Sequence, residues 1–188
     1  MAQDWARHEA DKYTHVWSIA AYRDRSPAER VLDRALDLLS MPPGASIIDW
    51  GMGTGRAAMA LQSRGFQVLG IDIAPNCPDP DCTVPMAICP IWAPPPGTLA
   101  DYGFSADVLE HLPPDMVDAS LQAIRRATRC AAFLQIATFP DSWDQVTGHE
   151  LHLTVRPAAW WAEHLSPLWA SVGCGEDMEG RPWFLCRA

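Results

Sequence analysis

The stretch that most restricts this chain runs from Ser46 to Arg64. A short apolar segment, Ser46-Ile-Ile-Asp-Trp50, passes directly into Gly51-Met-Gly-Thr-Gly55 and then into the helix-forming run Arg56 to Arg64. Glycines at alternate positions let the backbone leave a strand and enter a helix within a few residues. Gly65 closes that helix and Phe66 to Ile71 reads as another strand, which makes this region a βαβ unit. Such a unit commits the chain to parallel strand pairing, and parallel sheets need helices over both faces.

The same alternation continues. Strands are expected at Val84 to Ile88, Tyr102 to Asp107, Cys130 to Ala137, Leu168 to Val172 and Trp183 to Cys186, with proline-opened helices at Pro114 to Thr128 and Pro157 to Leu165. Only Gly173 to Pro182 separates the last two strands, too little for a helical crossover, so they are expected to pair antiparallel. Upstream, Trp5, Glu9, Lys12, Tyr13, Val16, Trp17 and Ala20 recur at helical intervals. A second helix is signalled by Ser26, Pro27 and Glu29 as a capping box, has Val31, Leu32, Ala35, Leu38 and Leu39 as its buried face, and is stopped by Pro42-Pro43-Gly44. The expected class is α/β, a three-layer sandwich around a mostly parallel sheet. At 188 residues and 48% hydrophobic, the chain suits one domain over 1–188, with 1–44 a helical cap and 138–156 a loop facing the substrate.

Charge narrows the partners. A net charge of -9 repels a phosphate backbone, no basic stripe offsets it, and Arg125-Arg126 reads as a solvated helix face, so a nucleic-acid partner is disfavoured and a cationic ligand favoured. No apolar run approaches the roughly 20 residues of a membrane span and no apolar leader opens the sequence, so no membrane partner and a cytoplasmic location are expected. The six cysteines are scattered; Cys77-Pro-Asp-Pro-Asp-Cys82 lacks two further ligands, and His149-Glu150-Leu151-His152 is not the H-E-x-x-H spacing. No metal is expected from these patterns.

Ligands of such sheets bind outside the carboxyl ends of the strands, where the glycine loop lies. A dinucleotide needs G-x-G-x-x-G, but Arg56 stands where its third glycine would be, and the loop instead reads D-x-G-x-G-x-G from Asp49. That pattern suits S-adenosyl-L-methionine, which has no phosphate and needs close backbone approach at Gly51, Gly53 and Gly55 with a carboxylate, Asp49, near its ammonium. Asp72 ends the next strand about 20 residues on, where an acid accepts hydrogen bonds from ribose hydroxyls, and Ile73 follows to pack on adenine.

These residues, taken with Asp107-Val-Leu-Glu-His-Leu-Pro113, resemble the class I, Rossmann-like S-adenosylmethionine-dependent methyltransferases, in particular a compact D-V-L-E-H-L-P branch, over roughly Ile47 to Ile136. The resemblance implies a seven-stranded sheet with its last strand antiparallel, S-adenosyl-L-homocysteine as product, and Asp107 with Val108 as the wall near the transferring methyl. The family's usual acid near adenine is missing from Ile88-Cys-Pro-Ile-Trp92, which leaves Trp92 as the stacking partner.

Methyl transfer is an in-line displacement in which the protein aligns the acceptor, and a base serves only a protonated acceptor. His111 and His152 are the candidate bases, each with a plainer reading as a helix start or a loop residue. Trp143, His149 and His152, on the loop, are the candidate acceptor contacts. The aromatic first helix, with Tyr13, Trp17 and Tyr22, is either a lid or ordinary packing. A small-molecule acceptor methylated on O or N is expected. The alternatives are a nucleobase or nucleotide, a protein side chain, or a non-catalytic S-adenosylmethionine-binding regulator. Asp107-Val-Leu-Glu is not the Asp/Asn-Pro-Pro-aromatic signature of amino-methylating nucleic-acid enzymes, and Cys89-Pro90 is not a Pro-Cys nucleophile.

Overall fold

The structure is a computed structural model and describes residues 2–24 and 28–188; Ser26 and Pro27 of the expected capping box lie outside the described residues. Two helices, α1 (Ala2–Val16) and α2 (Ala20–Arg23), precede α3 (Ala28–Leu39). After them come β1 (Ser46–Trp50), α4 (Arg56–Ser63), β2 (Gln67–Asp72), the short β3 (Met86–Ile88) and β4 (Ala100–Ala106). The chain ends with α5 (Val117–Arg126), β5 (Thr128–Gln135), α6 (Asp144–Thr147), α7 (Ala158–Leu165), β6 (Ser171–Glu176) and β7 (Pro182–Arg187).

The seven strands form one sheet in the order β3-β2-β1-β4-β5-β7-β6. β1 pairs parallel with β2 and β4, β4 with β5 and β2 with β3, whereas β7 runs antiparallel to β5 and β6. The direction of travel reverses at β1, so the switch point of the sheet falls between β1 and β4.

Alternation along each strand builds two cores. Ile47, Phe104 and Phe133 point to the face covered by Val31, Leu32 and Ala35 of α3 and Ala57, Ala58 and Leu61 of α4. Ile48, Ala132 and Leu134 point to the face covered by Leu121 and Ile124 of α5 and Trp161 and Leu165 of α7. Successive side chains of a strand alternate sides, so each strand feeds both layers. α3 is therefore part of a sheet-covering layer, whereas the described residues of α1 and α2 lie apart from both cores. Among the described residues no helix is long and apolar enough to cross a membrane.

Boundaries moved where the chain turns. The helix expected from Pro114 begins as a 3₁₀ turn, Pro114–Met116, and α5 stops at Arg126 because Thr128 already pairs with Ala100 as the first residue of β5. The strand expected at Leu168 starts at Ser171 instead, since the Leu168 carbonyl accepts from Arg125 Nε at 2.9 Å and holds the preceding residues in a turn.

Candidate active site

A cavity of about 370 Å³ opens at the carboxyl ends of β1, β2 and β4. Gly51, Met52 and Gly53 form one wall, Asp72 and Ile73 the end of β2, and Cys89 to Trp92 the segment after β3. Opposite stand Asp107, Val108, Glu110 and His111. Tyr13, Trp17 and Tyr22 roof it, and Phe139 to Trp143 with Leu151 and His152 close its far side. Gly51 has φ 77°, and a Cβ there would lie 2.5 Å from Val108 Cγ1, so the β1 loop and the segment after β4 meet with no room for a side chain. At Gly53 a Cβ would come within 2.9 Å of the Trp17 ring, which lays α1's end directly on the loop.

Two acids serve this loop from different sides. Asp49 is buried beneath it with Oδ2 lacking a hydrogen-bond partner; burial, then the charge of Asp72, pushes its carboxyl up to about 7. Asp72 is committed on both oxygens: Oδ2 accepts from the Gly53 N–H at 3.0 Å and Oδ1 from the Ala74 N–H at 3.0 Å. Burial raises its pKa while these amides oppose the rise. Asp72 thus ties the glycine loop to the end of β2 and still has lone pairs to offer.

At the end of β4 the backbone is strained. Asp107 has φ 52°, a conformation unusual for a residue with a side chain, and is held there by Arg181 Nη1, 2.7 Å from its Oδ2, and by its own N–H donating to the Gln135 carbonyl at 3.1 Å. Just beyond this turn, Glu110 and His111 line the cavity. Glu110 is fully buried, neither of its carboxylate oxygens has a hydrogen-bond partner, and burial drives its pKa well above the carboxylate range. His111 Nδ1 lies 2.7 Å from the Tyr13 hydroxyl, and burial, reinforced by the neighbouring His152 and Lys12, brings its pKa down to about 3. It stays neutral at physiological pH and is a weak base. His152 packs edge-on against it with ring centres 4.7 Å apart, and its Nδ1 donates to the Phe139 carbonyl at 2.7 Å, which leaves Nε2 as the nitrogen with a free lone pair.

The fold brings together most of the residues singled out from the sequence. Gly51, Gly53, Asp72, Ile73, Trp92, Asp107, Val108, His111, Trp143 and His152 line the cavity. Asp49 lies under the loop and Gly55 caps α4 with φ 80°. His149 does not reach the cavity wall: its ring meets that of His15 at 5.6 Å. Two residues carry more than the sequence reading gave them. Glu110 lies within Asp107–Pro113, a motif that by itself gives it no role, and Arg181 comes from the β6–β7 hairpin, whose turn is built by Asp177 accepting from the Glu179 and Arg181 amides at 2.8 and 2.9 Å. Asp-x-x-x-Arg in a hairpin carries no sequence signal for a partner at Asp107.

No family model matches the chain. Over 70 residues it is 40% identical to malonyl-[acyl-carrier protein] O-methyltransferase of Methylovorus sp. (strain MP688), a match covering 36% of this chain and 23% of that one, so the matched part spans under a quarter of that relative's length. An O-methyltransferase family protein from Burkholderia thailandensis superposes with a TM-score of 0.67 at 13% identity, covering 85% of this chain and 55% of the other. The chain has the Rossmann-like methyltransferase fold. The Burkholderia thailandensis 1,6-didemethyltoxoflavin-N1-methyltransferase, solved with 1,6-didemethyltoxoflavin and S-adenosylhomocysteine bound, has the same architecture, with a TM-score of 0.62 at 17% identity over 89% of this chain and 80% of that one.

Proposed function

We propose that the protein is an S-adenosylmethionine-dependent methyltransferase acting on an O or N atom of a small molecule. The observation that carries this reading is the joint built by Gly51, Gly53 and Asp72: a side-chain-free loop at the switch point, hydrogen-bonded to an acid at the end of the next strand and backed by the orphaned carboxyl oxygen of Asp49. A pyrophosphate would meet two buried acids there, which argues against a dinucleotide. A ligand with an ammonium and a sulfonium meets complementary charge. The methyltransferases of like fold, one of them solved with S-adenosylhomocysteine, support the same choice.

When bound, the cofactor supplies an electrophilic methyl group on sulfur. The chain's residues would then divide the work. Asp49 and the loop backbone at Gly51 and Gly53 hold the methionine end, and Asp72 receives the ribose hydroxyls on its remaining lone pairs. Ile73 and Trp92 flank the adenine, while Asp107 and Val108 wall the methyl. Trp143 and His152 face the acceptor, with Tyr13, Trp17 and Tyr22 excluding water above. Enclosure by α1, α2 and the segment after β5 favours a small acceptor over a polymer.

Titration calorimetry with S-adenosylmethionine on the wild type and on Asp72→Ala tests the assignment. The wild type is expected to bind at micromolar concentration, and the variant at least tenfold more weakly, about 1.4 kcal/mol. Equal affinities, or no heat from either protein, would sink it.

A further inference from the structure

We infer that Glu110, His111 and His152 hold a divalent first-row cation on the acceptor side of the cavity, where it ligates the oxygen of a hydroxyl-bearing acceptor. Among the described residues these three offer one ligand atom each, all within 4.8 Å of one another. Ligands around such a cation sit about 2.0–2.2 Å from it, so neighbouring donors lie roughly 3–4 Å apart, and small side-chain rotations close the difference. Two imidazoles with one carboxylate are the donor set of zinc, manganese, iron or cobalt rather than calcium.

Glu110 supplies the second observation. It is 0% exposed, it lies on the cavity wall, and neither oxygen has a partner. A buried carboxyl without a well-formed hydrogen bond is costly, the amides of Glu110 and Ala137 easing its charge only in part, and a cation removes that cost. An ion pair with His152 does not account for it: Nε2 stands 4.0 Å from Oε1, beyond hydrogen-bond reach, and Oε2 would remain unpartnered. The histidines are braced as ligands are. His152 Nδ1 donates to the Phe139 carbonyl, which fixes the lone pair on Nε2, and the Tyr13 hydroxyl fixes the ring of His111.

Three protein donors leave coordination positions open to the cavity. An acceptor hydroxyl entering one forms an oxygen–cation bond and breaks its O–H bond. Its proton leaves to solvent through the cavity mouth, because both imidazoles are ligated. The oxygen is then ionised at neutral pH without a free base. The choice of acceptor rests on the methyltransferase reading; the cation site does not.

The test titrates the chelator-treated full chain with Co²⁺, reading its visible ligand-field absorption, alongside calorimetry with S-adenosylmethionine. One equivalent of Co²⁺ is expected to bind the wild type, and Glu110→Gln and His152→Ala to bind at least tenfold more weakly. Asp72→Ala is expected to keep Co²⁺ and lose the cofactor. Melting in chelator shows that the variants fold; Glu110→Gln, which keeps the shape of the buried side chain, is expected to melt no lower than the wild type. No Co²⁺ or Zn²⁺ binding by the wild type, or undiminished binding by both folded variants, overturns the cation site. Co²⁺ binding without cofactor binding would sink the methyltransferase reading and leave the site standing.

Discussion

Asp49 is 2% exposed beneath the glycine loop, and its Oδ2 has no hydrogen-bond partner. Its carboxyl titrates at about 7 in the folded protein against an ordinary 3.8, so the folded state holds the proton more tightly than the unfolded one. The sign follows: the group costs nothing below about pH 4, costs more as pH rises towards 7, and is flat above that, where the loss is on the order of 4 kcal/mol. Asp49→Asn is expected to melt above the wild type at pH 8, with the gain shrinking towards pH 5, and to bind S-adenosylmethionine at least tenfold more weakly. Melting curves across that pH range and calorimetry at pH 8 check both; a gain independent of pH would mean that ionisation of Asp49 is not its source. On the proposed reading, the stability given up at this residue keeps a carboxylate ready for a cationic ligand.

At the scale of elements, the strand–loop–helix unit of β1 and α4 depends on contact with the segment after β4. Gly44 and Gly51 have nearly the same φ, 78° and 77°, but a Cβ at Gly44 meets nothing within 4 Å whereas one at Gly51 runs into Val108. Gly44→Ala should therefore cost only the left-handed backbone penalty, about 1–2 kcal/mol. Gly51→Ala should cost a further 1–3 kcal/mol from overpacking, recovered in part by Val108→Ala in the same chain. Denaturant unfolding of the four combinations at 51 and 108 measures the coupling, and strict additivity would show that the two elements do not meet there.

The same contrast explains what the sequence made legible. The βαβ alternation and the antiparallel end hairpin were readable because they follow from local periodicity and connection length. Asp72 was readable because loop and acid belong to one βαβ unit. The Arg181–Asp107 pair was not, since it joins residues brought together by the β5–β7 pairing rather than by any spacing. The burial of Glu110 was hidden for a related reason: its environment is set by the turn at Asp107 and by the distant His152, and a motif shows neither. His149, three residues from His152, shares its chemistry but faces α1 instead.

For the whole molecule, the issue is whether the N-terminal helices belong to the folding unit or to the site. Among the described residues, neither hydrophobic core contains one of α1 or α2. Their attachments are to the rim: Tyr13 to His111, Trp17 over Gly53, Asn76 Nδ2 donating to the Thr14 carbonyl at 2.9 Å, and Arg23 donating to the carbonyls of Asn76 and Pro78 while pairing with Asp79 at 2.8 Å. The buried Lys12–Glu9 pair is internal to α1, at 2.6 Å, and anchors nothing in the sheet. A chain lacking residues 1–24 should thus keep the sheet and both helical layers, since their cores draw on no described residue of the cap. It should lose the roof of the cavity, and with it the exclusion of water over Gly53 and Asp72. Circular dichroism is expected to show cooperative melting with retained helix and strand signal, and calorimetry an affinity for S-adenosylmethionine at least tenfold below the full chain, mostly as faster release because an open site no longer encloses its ligand. Unchanged affinity would make α1 and α2 packing rather than a cap. Loss of the cooperative melt would place them within the folding unit.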